Sequence, residues 1–357
     1  MRKFFFTAAA LFYCVQIYAS CPIKKSEELV FFPSYGYLSE DKGVWTIPIH
    51  GWLYEPERKS PARKALLALL IRRLSATPED SETPAFQERI EPFMAESERG
   101  RVISIYIKNK AFRLKKSDAN GHITDSIMLP ADIINYNQEN STEQDNFVSF
   151  AAVPCDDDTR IFSGKIRLIG PKGLSVVSDI DDTLKVTGAG DKKALIENTF
   201  LKEFEAVPGM PVFFDKWKQK GAEFHYVSAS PWQLFKPLDD FLNLNRFPPG
   251  TLHLRAFSWK NRDFFSLFES PVKFKTQVIT ELLERFPKRK FILVGDNGGK
   301  DPEIYANIAR SYPGQILKIF IRDLTPEEPQ DIRYKKAFKG LPTEIWKIFT
   351  NPSELEN

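Results

Sequence analysis

Between Gly173 and Ile321 the chain alternates short apolar runs with segments of helical periodicity, and this alternation narrows the available folds more than any other feature. Leu174-Ser175-Val176-Val177-Ser178, Phe224-His225-Tyr226-Val227, Thr251 to Phe257, Lys290-Phe291-Ile292-Leu293-Val294 and Gln315 to Ile321 read as strands. Phe274 to Phe286, with Val278, Leu282 and Phe286 on one face, reads as a helix, as does Asp301 to Arg310. Ser230 as N-cap, Pro231 at the first helical position and Gln233 completing a capping box predict a further helix start. Strands separated by helices pair in parallel, so the expected class is α/β with a doubly wound parallel sheet. Such sheets bind ligands beyond the carboxyl ends of their strands, where the strand order reverses.

The residues that carry chemistry fall at those ends. Asp179-Ile180-Asp181-Asp182-Thr183 closes the first strand, and strand alternation puts Asp179 and Asp181 on one side. Two carboxylates so close repel each other, and a hard cation with oxygen ligands, Mg²⁺, is the usual remedy, often shared with substrate phosphate. Ser228 ends the second strand, with Ser230 as its rival for a substrate contact. Lys275 opens a helix, with Lys273 as its rival. Asp296 ends a later strand and Asp301 begins the helix after it. Arg255, at another strand end, is a candidate for substrate phosphate. Together these residues describe a Mg²⁺ and phosphate site suited to phosphoryl transfer. His225 and His253 read as strand residues with satisfied hydrogen bonds rather than as bases.

The order D-x-D-x-T, strand-end Ser, Lys, acidic strand end resembles the haloacid dehalogenase superfamily. Over Ser178 to Val186 (SDIDDTLKV), Phe224 to Leu234 (FHYVSASPWQL) and Lys290 to Tyr305 (KFILVGDNGGKDPEIY), the chain resembles the catalytic domain of the actin-patch-type phosphatidate phosphatases and their secreted bacterial relatives. The likeness covers residues 172 to 323, one domain's length. It implies that Asp179 is the nucleophile, forming an aspartyl-phosphate. It implies that Asp181 is the general acid and base, that Ser228 binds a phosphoryl oxygen, and that Lys275 neutralises charge. Asp179, the Asp181 carbonyl and Asp296 would hold Mg²⁺, with Asp301 orienting that shell. Thr183 would close the turn. On this reading Mg²⁺ and Lys275 keep Asp179 ionised, and burial or a like charge raises the Asp181 pKa. Asn297-Gly298-Gly299 departs from the family, whose members carry Ser then Gly-Glu there.

The chain of 357 residues has room for two domains. Residues 1–20, cationic at Met1-Arg2-Lys3 and apolar from Phe4 to Ala19, read as a signal peptide. Residues 21–171 read as a β-rich, sandwich-like domain with strands at Gly43 to His50, Arg101 to Ile107 and Asn146 to Val153, a turn at Asp118 to Gly121, and an inserted helix at Arg63 to Leu74. Residues 172–325 form the haloacid-dehalogenase-like domain and 326–357 a C-terminal helical tail. The protein is therefore expected to be exported. Cys21 is lipidated as in a bacterial lipoprotein, paired with Cys155, or a free thiol. A net charge of +3 without a basic block excludes a nucleic-acid footprint. The aromatic and basic stretch Phe257 to Phe268 serves either as core or as a lip against lipid headgroups. Both inter-motif insertions are too short for a separate cap, leaving the site open to a membrane-held substrate. The function expected is hydrolysis of the phospholipid phosphatidate. The alternatives are a phosphatase for another soluble or protein-borne monoester, and an inactive surface-binding protein.

Overall fold

The computed structural model describes residues 22–56, 77–108, 110–134, 146–154, 157–188, 190–257, 272–325 and 331–356, with a few single positions between them. The leader, Cys21, Cys155, most of the helix expected at Arg63 to Leu74 and the aromatic stretch after Phe257 lie outside the described residues.

Nine strands make up the first sheet: β1 (Glu28–Phe31), β2 (Ser34–Ser39), β3 (Val44–Glu55), β4 (Glu96–Ser97), β5 (Ser104–Ile107), β6 (Lys110–Arg113), β7 (His122–Pro130), β8 (Phe147–Ala152) and β9 (Phe162–Ile169). Its hydrogen bonding runs unbroken in the order β1-β3-β2-β9-β8-β5-β6, with β4 and β7 also on β3. The long β3 makes this possible. One edge pairs with β7 from Val44↔Pro130 to Trp52↔His122, while β2 and β1 divide the other edge between them. Alternation sends Trp45, Ile47 and Ile49 inward against Ile105, Ile123 and Ile166. The expected turn forms where Asp118 accepts the amides of Asn120 (2.7 Å) and His122 (3.0 Å) and Gly121 takes a left-handed φ of 77°.

The second sheet holds β10 (Gly173–Ser178), β11 (Glu223–Pro231), β12 (Gly250–Arg255), β13 (Arg289–Asp296), β14 (Ile316–Arg322) and β15 (Trp346–Phe349). All its pairings are parallel, in the order β12-β11-β10-β13-β14-β15. Strand order therefore reverses between β10 and β13, which is the crevice the alternation predicts. Both faces are covered, so β10 buries Val176 in one core and Val177 in the other, each fully.

Two expectations about domain limits need correction. Helices α1 (Pro78–Glu82) and α2 (Pro84–Met94) arise within the N-terminal segment, yet α2 lays Phe86, Ile90 and Phe93 into the core of the parallel sheet. These positions share one helix face, and Thr83 caps its start by accepting the Phe86 amide (3.3 Å). Buried Arg89 donates to the carbonyls of Thr199 (3.2 Å) and Lys202 beyond β10. The second correction concerns residues 326–357. They contain the helix Asp331–Ala337 but continue into β15, which pairs Trp346 with Ile319 and becomes the sheet edge. A four-residue strand is too short for periodicity to declare it. The two sheets also share a boundary: Tyr35 of β2 packs with Val177, Val227 and Phe286, and its hydroxyl accepts from Arg285 (2.6 Å).

Candidate active site

The Asp179 amide donates to the Val294 carbonyl at 2.9 Å, extending the β10–β13 ladder one residue beyond Ser178. Its carboxylate is thereby fixed at the reversal point, only 4% exposed. The chain then turns sharply, with the Leu184 and Lys185 amides both donating to the Ile180 carbonyl. Asp182 takes the left-handed region, at φ 56°. Its side chain offsets that strain by accepting the amides of Thr187 (2.8 Å) and Gly188 (2.7 Å). Asp182 is thus committed to the turn.

Asp179, Asp296 and Asp301 each offer a carboxylate oxygen within 4.8 Å of the others, and all three are buried. Lys275 lies between them, its Nζ 2.8 Å from Asp179 Oδ1 and 2.6 Å from Asp301 Oδ1. Thr183 Oγ1 reaches Asp296 Oδ2 at 3.2 Å and Asp179 Oδ2 at 3.4 Å. The amides of Gly298 (2.7 Å) and Gly299 (3.3 Å) donate to Asp296 Oδ1. Gly295 is required for the close approach of the helix Asp301–Ser311, since a Cβ there would collide with Asp301.

Among the described residues these three carboxylates have one ammonium at ion-pair distance, and the proton affinities record the imbalance. Burial raises the Asp179 pKa well above the carboxylate range; Lys275 opposes this, while Asp301 and Asp296 add to it. Burial and Asp301 push Asp296 up to about 6. For Lys275, burial works in the other direction, but Asp179 and Asp301 hold it protonated above its ordinary value. A divalent hard cation fits this set in charge and in ligand chemistry.

Asp181 lies in a different environment. Its Oδ2 accepts from Ser228 (2.8 Å) and Ser230 (3.2 Å), and its Oδ1 accepts from Thr187 (3.0 Å) and pairs with Lys185 (3.0 Å). Burial alone would raise its pKa, but Lys185 and the hydroxyls of Ser228 and Thr187 bring it down to about 2. This reverses the expected order, in which Asp179 is the depressed group and Asp181 the raised one. The reason is local: the fully buried Lys185 supplies Asp181 with a private counter-charge. The Asp181 side chain also falls outside the three-carboxylate set, which leaves its carbonyl as the atom it could contribute.

The structure separates the rivals of the sequence reading. Lys275 is buried in the cluster on the helix Val272–Arg285, whereas Lys273 is exposed. Both Ser228 and Ser230 reach Asp181. Ser230 does not cap a helix, because β11 runs on through Pro231 opposite Arg255 and a 3₁₀ turn, Trp232–Leu234, follows it. Arg255 ends the outermost strand, two strands from the one that leads to Asp179. His225 Nδ1 and His253 Nε2 both bond Thr251 Oγ1, at 2.9 and 3.1 Å, but His225 Nε2 is buried with no partner among the described residues, so the expected satisfaction of His225 is only partial. Asn297 is locked by Asp323 (2.6 Å) and Tyr334 (2.9 Å) and takes no part in the carboxylate set. Sequence reasoning passes over Lys185 and Thr187 and gives Thr183 only a turn. The spacing Asp181, Thr183, Lys185, Thr187 is the available signal.

Residues 174–323 match the family described as phosphatidate phosphatase APP1, catalytic domain. This segment resembles an APP1 catalytic domain. Phosphatidate phosphatase APP1 of Saccharomyces cerevisiae is 40% identical over 159 residues, which are 43% of this chain and 26% of that protein. An uncharacterized protein of Schizosaccharomyces pombe is 28% identical over 235 residues, 62% of this chain and 38% of its own length. The chain therefore spans well under half of each of these curated relatives. Among solved structures, the class C acid phosphatase of Bacillus anthracis is 20% identical, covering 34% of this chain and 65% of that one at a TM-score of 0.20. Its tungstate-bound form is 15% identical, covering 48% and 75%, at 0.26. Overlaps that slight bear on neither fold nor function. The family match and the yeast relative support the resemblance read from the motifs.

Proposed function

We propose that the protein is an exported, Mg²⁺-dependent phosphatidate phosphatase that releases diacylglycerol and inorganic phosphate through an aspartyl-phosphate on Asp179. The observation that carries this reading is the Asp179–Lys275 contact of 2.8 Å, set beside Asp296 and Asp301 within the segment that matches the APP1 domain. Asp179, Asp296 and Asp301 would hold Mg²⁺ together with the Asp181 carbonyl, and the bound ion would neutralise phosphoryl and carboxylate charge.

The chain's own groups divide the remaining work. An Asp179 oxygen attacks phosphorus as the bond to the diacylglycerol oxygen breaks, and Asp181 delivers a proton to that leaving alkoxide. Water then attacks the aspartyl-phosphate, Asp181 takes its proton, and phosphate departs with Asp179 restored. Asp181 is ionised in the arrangement described, so substrate must bring its proton affinity up. The incoming phosphoryl group supplies two causes. It puts negative charge beside Asp181 and draws the Ser228 and Ser230 hydroxyls away to its own oxygens. Lys275 holds Asp179 in line and offsets the charge spread over the phosphoryl oxygens.

Among the described residues no helix is long and apolar enough to cross a membrane. A lipid substrate would be met at the bilayer surface, after export directed by residues 1–20. Phosphate release from phosphatidate vesicles, lysophosphatidate and soluble monoesters, with Mg²⁺ or a chelator, tests the proposal. Mg²⁺-dependent turnover of vesicles is expected. Turnover of soluble esters alone would overturn the lipid assignment, and an active Asp179→Asn variant would overturn the covalent route.

A further inference from the structure

The loop after β13 has two sides, one turned to Asp296 and the other to the C-terminal helix Asp331–Ala337. On the first side the amides of Gly298 (2.7 Å) and Gly299 (3.3 Å) donate to Asp296 Oδ1. On the second, the carbonyls of Asn297 and Gly299 both accept from the Arg333 guanidinium. One peptide unit joins the two sides. A trans peptide sets its N–H and C=O antiparallel, so fixing the Asn297 carbonyl on Arg333 aims the Gly298 N–H at Asp296. The loop is tight here, since a Cβ on Gly298 would lie 2.8 Å from Leu324 Cδ1 and 3.1 Å from Asp296 Oδ1. Arg333 also makes a forked contact with Glu303, Nε to Oε1 and Nη2 to Oε2, both at 2.9 Å. Glu303 lies in the first turn of the helix that Asp301 begins. A single planar guanidinium thus spans the loop behind Asp296 and the helical turn that carries Asp301. Its neighbour Tyr334 braces the same loop, its hydroxyl accepting from Asn297 Nδ2 at 2.9 Å.

We propose that Arg333 is a positioning residue for the divalent-cation site, holding Asp296 and the Asp301 helix in the arrangement that an ion meets. This rests on the reading that Asp179, Asp296 and Asp301 hold Mg²⁺. It brings in a segment beyond the family match, which ends at residue 323. Hydrogen-bonded support behind ligating carboxylates orients them, and its loss typically costs ten- to a hundredfold in metal affinity. Charge and orientation predict opposite signs here, so the role can be separated from a merely electrostatic one. Arg333 lies within electrostatic reach of Asp296, and a guanidinium so placed repels an incoming cation. By charge alone, removing it would tighten Mg²⁺. By orientation, removing it weakens Mg²⁺, because the Asn297–Gly298 peptide loses the anchor that aims its N–H at Asp296. Lysine would keep the charge without the planar fork that meets two carbonyls and a carboxylate together.

Calorimetric titration of Mg²⁺ into the chelator-stripped full chain tests this inference, with a Kd that depends on no substrate. Arg333→Met removes charge and fork while keeping an apolar stem, and it is expected to weaken Mg²⁺ by about tenfold. Arg310→Met is the control for a loosened helix. Arg310 donates to the carbonyls of Ala337 and Lys339 (3.0 Å), at the other end of the same C-terminal segment, and its loss is expected to leave the Kd unchanged. Unchanged or tighter Mg²⁺ binding by Arg333→Met, or equal weakening by Arg310→Met, would overturn the inference and leave the metal reading intact. A wild type without saturable Mg²⁺ binding would overturn both. Circular dichroism checks that each variant is folded. Should Arg333→Met not fold, Arg333→Lys and Glu303→Gln carry the test. Each is expected to weaken Mg²⁺ by a smaller factor, and wild-type affinity in both would overturn the inference.

Discussion

Asp179 and Asp181 are two residues apart and both belong to the same motif, yet they occupy opposite electrostatic regions. Asp179 shares one lysine with two other carboxylates and gains proton affinity. Asp181 has its own lysine and three hydroxyls and loses it. The difference shows that burial alone does not set a carboxylate's state; the ratio of local cations to anions does. It also separates two kinds of readiness. The first region lacks charge that an ion can supply, and the second holds hydroxyls that a substrate can withdraw.

The sharpest way to break the comparison is to remove each carboxylate in turn. Asp179→Asn should lower phosphate release at least about a thousandfold, since no other group can form the covalent bond. Asp181→Asn should cost about a hundred- to a thousandfold. The two variants should part in Mg²⁺-dependent labelling by beryllium fluoride, which Asp181→Asn retains and Asp179→Asn loses. Labelling of both would dissolve the proposed division of labour.

Smaller effects test the charge ratios. Lys185→Met strands Asp181 and should cost about 3 kcal/mol in urea unfolding, the low end for a broken buried pair because Asp181 keeps 23% of its side chain exposed. Asp296→Asn should do the reverse in metal-free protein at pH 7.5, stabilising it by about 2–3 kcal/mol. The folded pKa of Asp296, about 6, lies above its ordinary value of 3.8, so its ionised form penalises folding. That penalty is full above about pH 6 and gone below about pH 4, and the advantage of the variant should fade over the same window. With Mg²⁺ present the sign should invert, because the wild type then gains binding energy that the Asp296→Asn variant cannot share. A variant no more stable than wild type in the chelated protein at pH 7.5 would mean that the cluster has a counter-charge this account omits.

Strand-end position is enough to find Asp179 and Asp296 in the sequence, because a parallel sheet sends the carboxyl end of every strand to one side, and Lys275 is found as the residue that opens the helix before β13. What escapes are groups whose role depends on the turn. Lys185 follows D-x-D-x-T as one more residue of a strand-like run, and only the reversal at Asp182 folds it back onto Asp181. Ser230 misleads for a related reason: its N-cap signal is sound locally, but the pairing of Pro231 with Arg255 keeps the backbone extended. The 9-stranded sheet raises the same issue at larger scale. Its strands are legible from alternation, while the sharing of β3 by four partners depends on tertiary pairing that no local pattern encodes.

Helix α2 has a consequence for how this protein is handled. The stretch that matches the family begins at residue 174, but Phe86, Ile90 and Phe93 fill the centre of what that stretch encloses. A fragment cut at the boundary of that match would carry Asp179, Lys275, Asp296 and Asp301, together with a hole the size of three aromatic and aliphatic side chains. The segment recognisable by descent is thus smaller than the segment that folds.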